Sequence, residues 1–120
     1  MINKQDQNFE SKRDFETFIK ANDEPIVVII EANWSGNCQI MAPAFEKIES
    51  LFKSKVNFVT VTGEASEILE LNYDSDILPK IILYNKGRII DQIFGIVSFE
   101  QLEEKINALS KASSKNILVK

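Results

Sequence analysis

The chain has no histidine and a single cysteine in 120 residues. Without an imidazole, Ser-His-Asp and Cys-His catalysis, histidine proton shuttling and every histidine-containing zinc site are excluded. A solitary sulfur, Cys38, cannot close a disulfide within the chain, so an intramolecular dithiol cycle is excluded as well. Nor can it enclose a metal or an iron–sulfur cluster with soft ligands, and neither metal nor cofactor is expected. No run approaches the roughly 18 apolar residues of a membrane span, and Met1–Gln7 lacks the basic cluster and apolar stretch of a secretory signal. These absences predict a cytoplasmic protein with no membrane partner; one cysteine agrees with a reducing compartment. A basic face is also missing: the net charge is −4 and the lysines are scattered, so nucleic acid is not an expected partner.

Hydrophobic residues make up 44% of the chain and charged residues 27%, the balance of a globular domain. A chain of this length holds one domain, expected over residues 1–110 with a flexible tail at 111–120. Asp14 reads as a helix N-cap, with Phe15, Phe18 and Ile19 at helical spacing until Ala21-Asn22-Asp23-Glu24-Pro25 stops the helix. Ile26-Val27-Val28-Ile29-Ile30 is β-branched and continuously apolar, the pattern of a central strand buried on both faces. After the turn Asn33-Trp34-Ser35-Gly36-Asn37, the spacing of Met41, Phe45, Ile48 and Phe52 predicts a long helix kinked near Pro43. Val56–Val61 reads as a strand and Ala65–Leu71 as a short helix, so a parallel pair joined by a crossover is expected. Glu64, Glu67, Glu70 and Asp74 read as a solvated helix face rather than a catalytic acid and base.

Beyond Tyr73–Pro79, strands at Lys80–Tyr84 and Arg88–Phe94 flank Asn85-Lys86-Gly87, a compact hairpin connection. Ser98 caps a last helix carrying Phe99, Leu102, Ile106 and Leu109, expected to end near Ser110. The fold class is therefore α/β, with a central mixed sheet of four to five strands and about four helices.

The segment from Val27 to Pro43 resembles the strand, active-site turn and kinked helix of the thioredoxin family. There the helix opens on Trp-Cys-Gly-Pro-Cys with a proline five positions later, and Trp34-Ser35-Gly36-Asn37-Cys38 and Pro43 fall in register. Ile77-Leu78-Pro79-Lys80 is similar to the family's cis-proline loop, Asn85-Lys86-Gly87 to its hairpin turn and Gly95 to a glycine before the last helix. The resemblance spans about residues 14 to 109 and implies a thioredoxin-like fold. By that resemblance the family activity is protein-disulfide reduction in cell redox homeostasis, and the groove comprises Trp34, Gly36, Asn37, Leu78, Pro79 and Gly95, with the backbone of Leu78 pairing an extended client.

The departures decide the functional expectation. Ser35 stands where the attacking cysteine would be, and no histidine is present to activate a hydroxyl. Cys38 takes the resolving position; read from residue type alone it is a small hydrophobe packed under the helix. Ile29 occupies the place of the buried aspartate that assists proton transfer, Glu31 an aromatic position, and Asn37 that of the turn's proline. Composition alone makes Pro79 an ordinary trans proline; the cis isomer comes from the resemblance. Trp34 reads equally as a partly buried structural aromatic or a binding anchor. Lys80, where relatives commonly carry threonine, adds charge at the groove edge and by itself reads as solvated.

The leading expectation is a redox-inactive or redox-impaired binding module that holds a protein or extended peptide across Trp34, Ser35, Leu78 and Pro79. One alternative is a single-cysteine thiol oxidoreductase that forms mixed disulfides through Cys38 with a client or with glutathione. Another is a structural homo-oligomer in which Met41, Ile96 or Ile117-Leu118-Val119 makes contacts.

Overall fold

A computed structural model describes residues 5–6, 9–69, 71 and 77–118. Its centre is β2 (Ile26–Glu31), whose residues 26–30 are all buried. β2 pairs in parallel with β3 (Asn57–Thr62) and antiparallel with β4 (Lys80–Asn85), which continues antiparallel into β5 (Arg88–Phe94). A two-residue strand β1 (Gln5–Asp6) adds in parallel to β3, and the sheet order is β1-β3-β2-β4-β5. The parallel β2–β3 pair is joined through α2 (Gly36–Phe52), the crossover that parallel pairing requires. No charged or polar residue interrupts β2 before Glu31, because both of its faces are covered.

Alternation along the strands sorts side chains onto two cores. Val27, Ile29, Ile81 and Leu83 meet Met41, Phe45 and Ile48 of α2, together with Leu102, Ile106 and Leu109 of α4 (Phe99–Leu118). On the opposite face, Val28, Ile30, Val59, Val61 and Ile82 meet Phe15 and Ile19 of α1 (Lys12–Ala21), and Leu69 and Leu71 after α3 (Gly63–Ile68). Each such side chain contributes roughly 1.5–3 kcal/mol by leaving water, so the two apolar layers dominate the stability of the sheet.

Local rules explain the element ends, with some corrections. α1 is capped by Ser11, whose hydroxyl accepts from the Asp14 N–H at 3.1 Å, so Asp14 lies inside the first turn and is not the cap. There its negative charge still favours the helix start. Pro43 lies inside α2. α3 begins at Gly63 with Thr62 as its cap, earlier than the expected Ala65, and Glu64 and Glu67 on it are exposed. Glu70 and Asp74 lie outside the described residues. Ser98 caps α4 by accepting from the Gln101 N–H at 3.1 Å. That helix runs on to Leu118, past the expected stop at Ser110, because neither glycine nor proline follows and Lys111, Ala112 and Lys115 are good helix formers.

The β4–β5 turn uses Lys86 (φ 54°) and Gly87 (φ 81°), the paired positive φ values of a tight two-residue hairpin. Just beyond it the register slips: Leu83 faces Asp91 while Tyr84 faces Ile89, leaving Ile90 as an extra residue in β5. This bulge places Ile89 beside Tyr84 while Ile93 stays with the α2–α4 core. Among the described residues, no helix is long and apolar enough to cross a membrane.

Candidate functional site

Where β2 ends, the chain turns sharply, with the Ser35 N–H donating to the Ala32 carbonyl at 3.1 Å, and α2 begins. Ser35 is the N-cap: its hydroxyl accepts from the Cys38 N–H at 3.3 Å, and its carbonyl accepts from the Gln39 N–H at 3.2 Å. The side chain is therefore committed to one of the helix's orphan donors. Only 7% of Ser35 is exposed, and Cys38 is 6% exposed, so the hydroxyl and the thiol both lie beneath the surface. Gly36 opens the helix, and a Cβ built on it meets nothing within 4 Å.

The opposite wall is the segment entering β4. The Leu78–Pro79 peptide bond is cis. Pro79 accepts from the Gly95 N–H at 2.9 Å, which ties this segment to the end of β5. Gly95 has φ +74°, and a Cβ there would lie 3.3 Å from Ile77 Cγ2, so a larger residue would be strained and would crowd Ile77. Leu78 points its side chain toward Gly63 and Ala32, while its backbone stays at the rim.

One contact joins the two walls: the Asn37 side-chain amide donates to the Leu78 carbonyl at 3.2 Å across 41 positions of sequence. Ser35, Gly36, Asn37, Cys38, Leu78, Pro79 and Gly95 are thereby held in one neighbourhood, with Trp34 at its edge. Trp34 is 80% exposed, which removes its reading as a partly buried structural aromatic. Ile77, beside Gly95, and Ile96, next to it in sequence, are exposed, as is Ile40 on α2. Solitary exposed isoleucines need no explanation; Ile77 and Ile96, which flank Gly95, add apolar surface beside the cis-proline segment. The Leu78 N–H has no hydrogen-bond partner among the described residues.

Lys80 corrects an expectation. It is 1% exposed, not solvated at the groove edge. As the first residue of β4 it shares a face with Ile82 and Tyr84, and its ammonium donates to the Leu71 carbonyl at 2.7 Å with the Phe94 ring centroid 5.6 Å away. A buried lysine needs such partners; here it fastens the end of the α3 segment to the sheet. Met41 is buried in the α2–α4 core, which removes it as an oligomer contact, whereas Ile96 is exposed. Val119 lies outside the described residues, and the side chains of Ile117 and Leu118 do as well.

Ile29 is buried and sits in register between Thr60 of β3 and Ile81 of β4, so no carboxylate serves this position. The Thr60 hydroxyl has no hydrogen-bond partner among the described residues. No group of three or more His, Cys, Asp or Glu side chains is placed to hold a metal among those residues. Sequence reasoning missed the Asn37–Leu78 bridge, for which no local pattern exists, and the exposure of Ile40 and Ile77. The unusual Asn at a turn position was the one available signal.

The geometry defines a class: an α/β protein whose capped helix start faces a cis-proline loop. The thioredoxin family matches residues 6–108, and the chain belongs to that family. It is 30% identical over 92 residues to thioredoxin Y2, chloroplastic, of Arabidopsis thaliana, covering 77% of this chain and 55% of that protein. Over 102 residues it is 28% identical to mitochondrial thioredoxin of Bos taurus, covering 85% of this chain and 61% of the relative. The chain thus spans little more than half the length of these relatives. The X-ray structure of Fasciola hepatica thioredoxin superposes with a TM-score of 0.71 at 24% identity, covering 84% of this chain and 96% of that one, a likeness of fold.

Proposed function

We propose that this protein is a redox-impaired thioredoxin-family binding module that holds an extended peptide or protein segment across Trp34, Ser35, Leu78 and Pro79, with Trp34 and Leu78 at the surface and Ser35 and Pro79 buried beneath it. The observation that carries this reading is the position of Ser35: where disulfide exchange needs an attacking thiolate, the chain has a buried hydroxyl engaged in capping the helix. A client disulfide meets no nucleophile there, and the one thiol, Cys38, lies beneath the cap with no second thiol in the chain to release a mixed disulfide. What supports binding is an exposed tryptophan, the exposed Ile77 and Ile96 next to Gly95, and a Leu78 N–H with no hydrogen-bond partner among the described residues.

The test is insulin reduction coupled to dithiothreitol, with dithiobis-nitrobenzoate titration of Cys38. The expected outcome is an insulin-reduction rate equal to the dithiothreitol background and slow labelling of the thiol until the chain unfolds. Turnover at the rate of a two-cysteine thioredoxin would end the proposal. Rapid labelling of folded protein would instead favour mixed-disulfide chemistry at Cys38.

A further inference from the structure

Leu78 offers the rim two backbone groups, and they are in different states. Its N–H has no partner among the described residues, whereas its carbonyl already accepts from the Asn37 side chain at 3.2 Å. A residue directly opposite in an antiparallel, hydrogen-bonded pair exchanges both bonds, giving its own N–H to the carbonyl and accepting the other N–H. Asn37 therefore already occupies one of the two acceptor positions of the carbonyl that a client's N–H would use. It is the second residue of α2, where backbone N–H groups lack intrahelical partners, so the helix does not depend on a donating side chain at this place. An aspartate there would have no proton to donate at neutral pH, and a proline would have none at all.

We infer that Asn37 is a latch on the Leu78 carbonyl that selects among extended peptides by what they present opposite Leu78. This inference rests on the binding-module reading above. A client residue with a backbone N–H must displace the Asn37 amide or share the carbonyl with it. A client proline at that position has no N–H, still accepts from the Leu78 N–H through its carbonyl, and leaves the latch closed. The Asn37 amide thus handicaps ordinary strands and not proline-bearing ones.

The experiment compares the intact chain with Asn37→Ala and Asn37→Asp. The Asp variant keeps the bulk and removes the donor. Two amidated heptapeptides serve as probes, Thr-Val-Thr-Val-Thr-Val-Thr and the same sequence with proline at the centre, each labelled with fluorescein and read by anisotropy. The valine peptide is expected to bind both variants about 3- to 10-fold more tightly than the parent, the range set by one net hydrogen bond, while the proline peptide binds all three alike. Equal affinity of the valine peptide for all three proteins overturns the latch, as does tightening by Ala alone or tightening of both peptides together; in each case the binding reading survives. Failure of both peptides to bind any of the three proteins overturns the latch and the binding reading together.

Discussion

The two ends of the sheet carry similar apolar exposure and differ in their backbone. At the hairpin end, Ile89 and Ile90 are exposed, as Ile77 and Ile96 are at the Pro79 end. Yet the hairpin closes on itself through Lys86 and Gly87, and α4 reaches across to it, the Lys105 ammonium donating to the Asp91 carboxylate at 2.6 Å. At the Pro79 end the Leu78 N–H has no hydrogen-bond partner among the described residues, and a tryptophan stands clear of the surface. Exposed isoleucines alone therefore do not mark a binding surface in this molecule. The proposed binding reading favours the Pro79 end because an exposed tryptophan and the Leu78 backbone lie with the isoleucines there, whereas the hairpin end is braced by α4.

Substitutions at the two ends should separate stability from binding. The largest effect is expected at the open end, from Lys80→Ala: it leaves the Leu71 carbonyl without its 2.7 Å donor and opens a cavity where a fully buried side chain stood. A loss of about 2–4 kcal/mol is expected in urea unfolding, with Lys80→Met losing less because its volume is retained. Next, at the closed end, Gly87→Ala forces a Cβ into φ +81° and brings it 3.3 Å from Lys20 Cγ. A cost of about 1–2 kcal/mol follows from the left-handed conformation, with peptide binding at the other end unchanged. Were binding to weaken as well, the two ends would not be independent.

A smaller loss, about 1 kcal/mol, is expected for Ser35→Ala, which removes the cap on the Cys38 N–H. Thermal unfolding measures it, and no loss at all would mean the hydroxyl is not serving as a cap. The smallest effect concerns pH. Hydrogen bonding from Lys105 holds the Asp91 carboxyl below its usual value, outweighing its partial burial, with help from the Gln92 N–H. Because the folded value is depressed, this stabilisation is present above the unfolded value of about 3.9 and disappears as the pH falls through the folded one. Both side chains are well exposed, so the gain is under about 1 kcal/mol. Asp91→Asn should lose less stability than the parent between neutral and acid pH, measured at low salt.

The sequence was most readable where a short stretch determines its own geometry. Ile26–Ile30 announces a buried strand by composition, and Lys86-Gly87 between two apolar runs announces a hairpin, so β2, β4, β5 and the order of elements could be read directly. Pro43, Pro79 and Gly95 added the family's spacing, and with it the neighbourhood of Ser35, Cys38 and Leu78. What escaped depends on distant partners. β1 exists by pairing with Val59 and Thr60, and nothing in Gln5-Asp6 signals a strand. Lys80 looks like a surface residue until the Leu71 carbonyl is brought to it. Ser11 and Asp14 are both capping types one turn apart, and only the hydrogen bond distinguishes them. Asn37 carries no sign in its neighbours of a bond to residue 78.

The doubled position at Ile89 and Ile90 also bears on how crowded copies of this chain behave. A second molecule laying a strand along the outer side of β5 loses step at Ile90 and finds regular backbone only over short stretches on either side. Sheet-by-sheet growth along the β5 margin is thus obstructed by the course of the main chain, whatever side chains are displayed there.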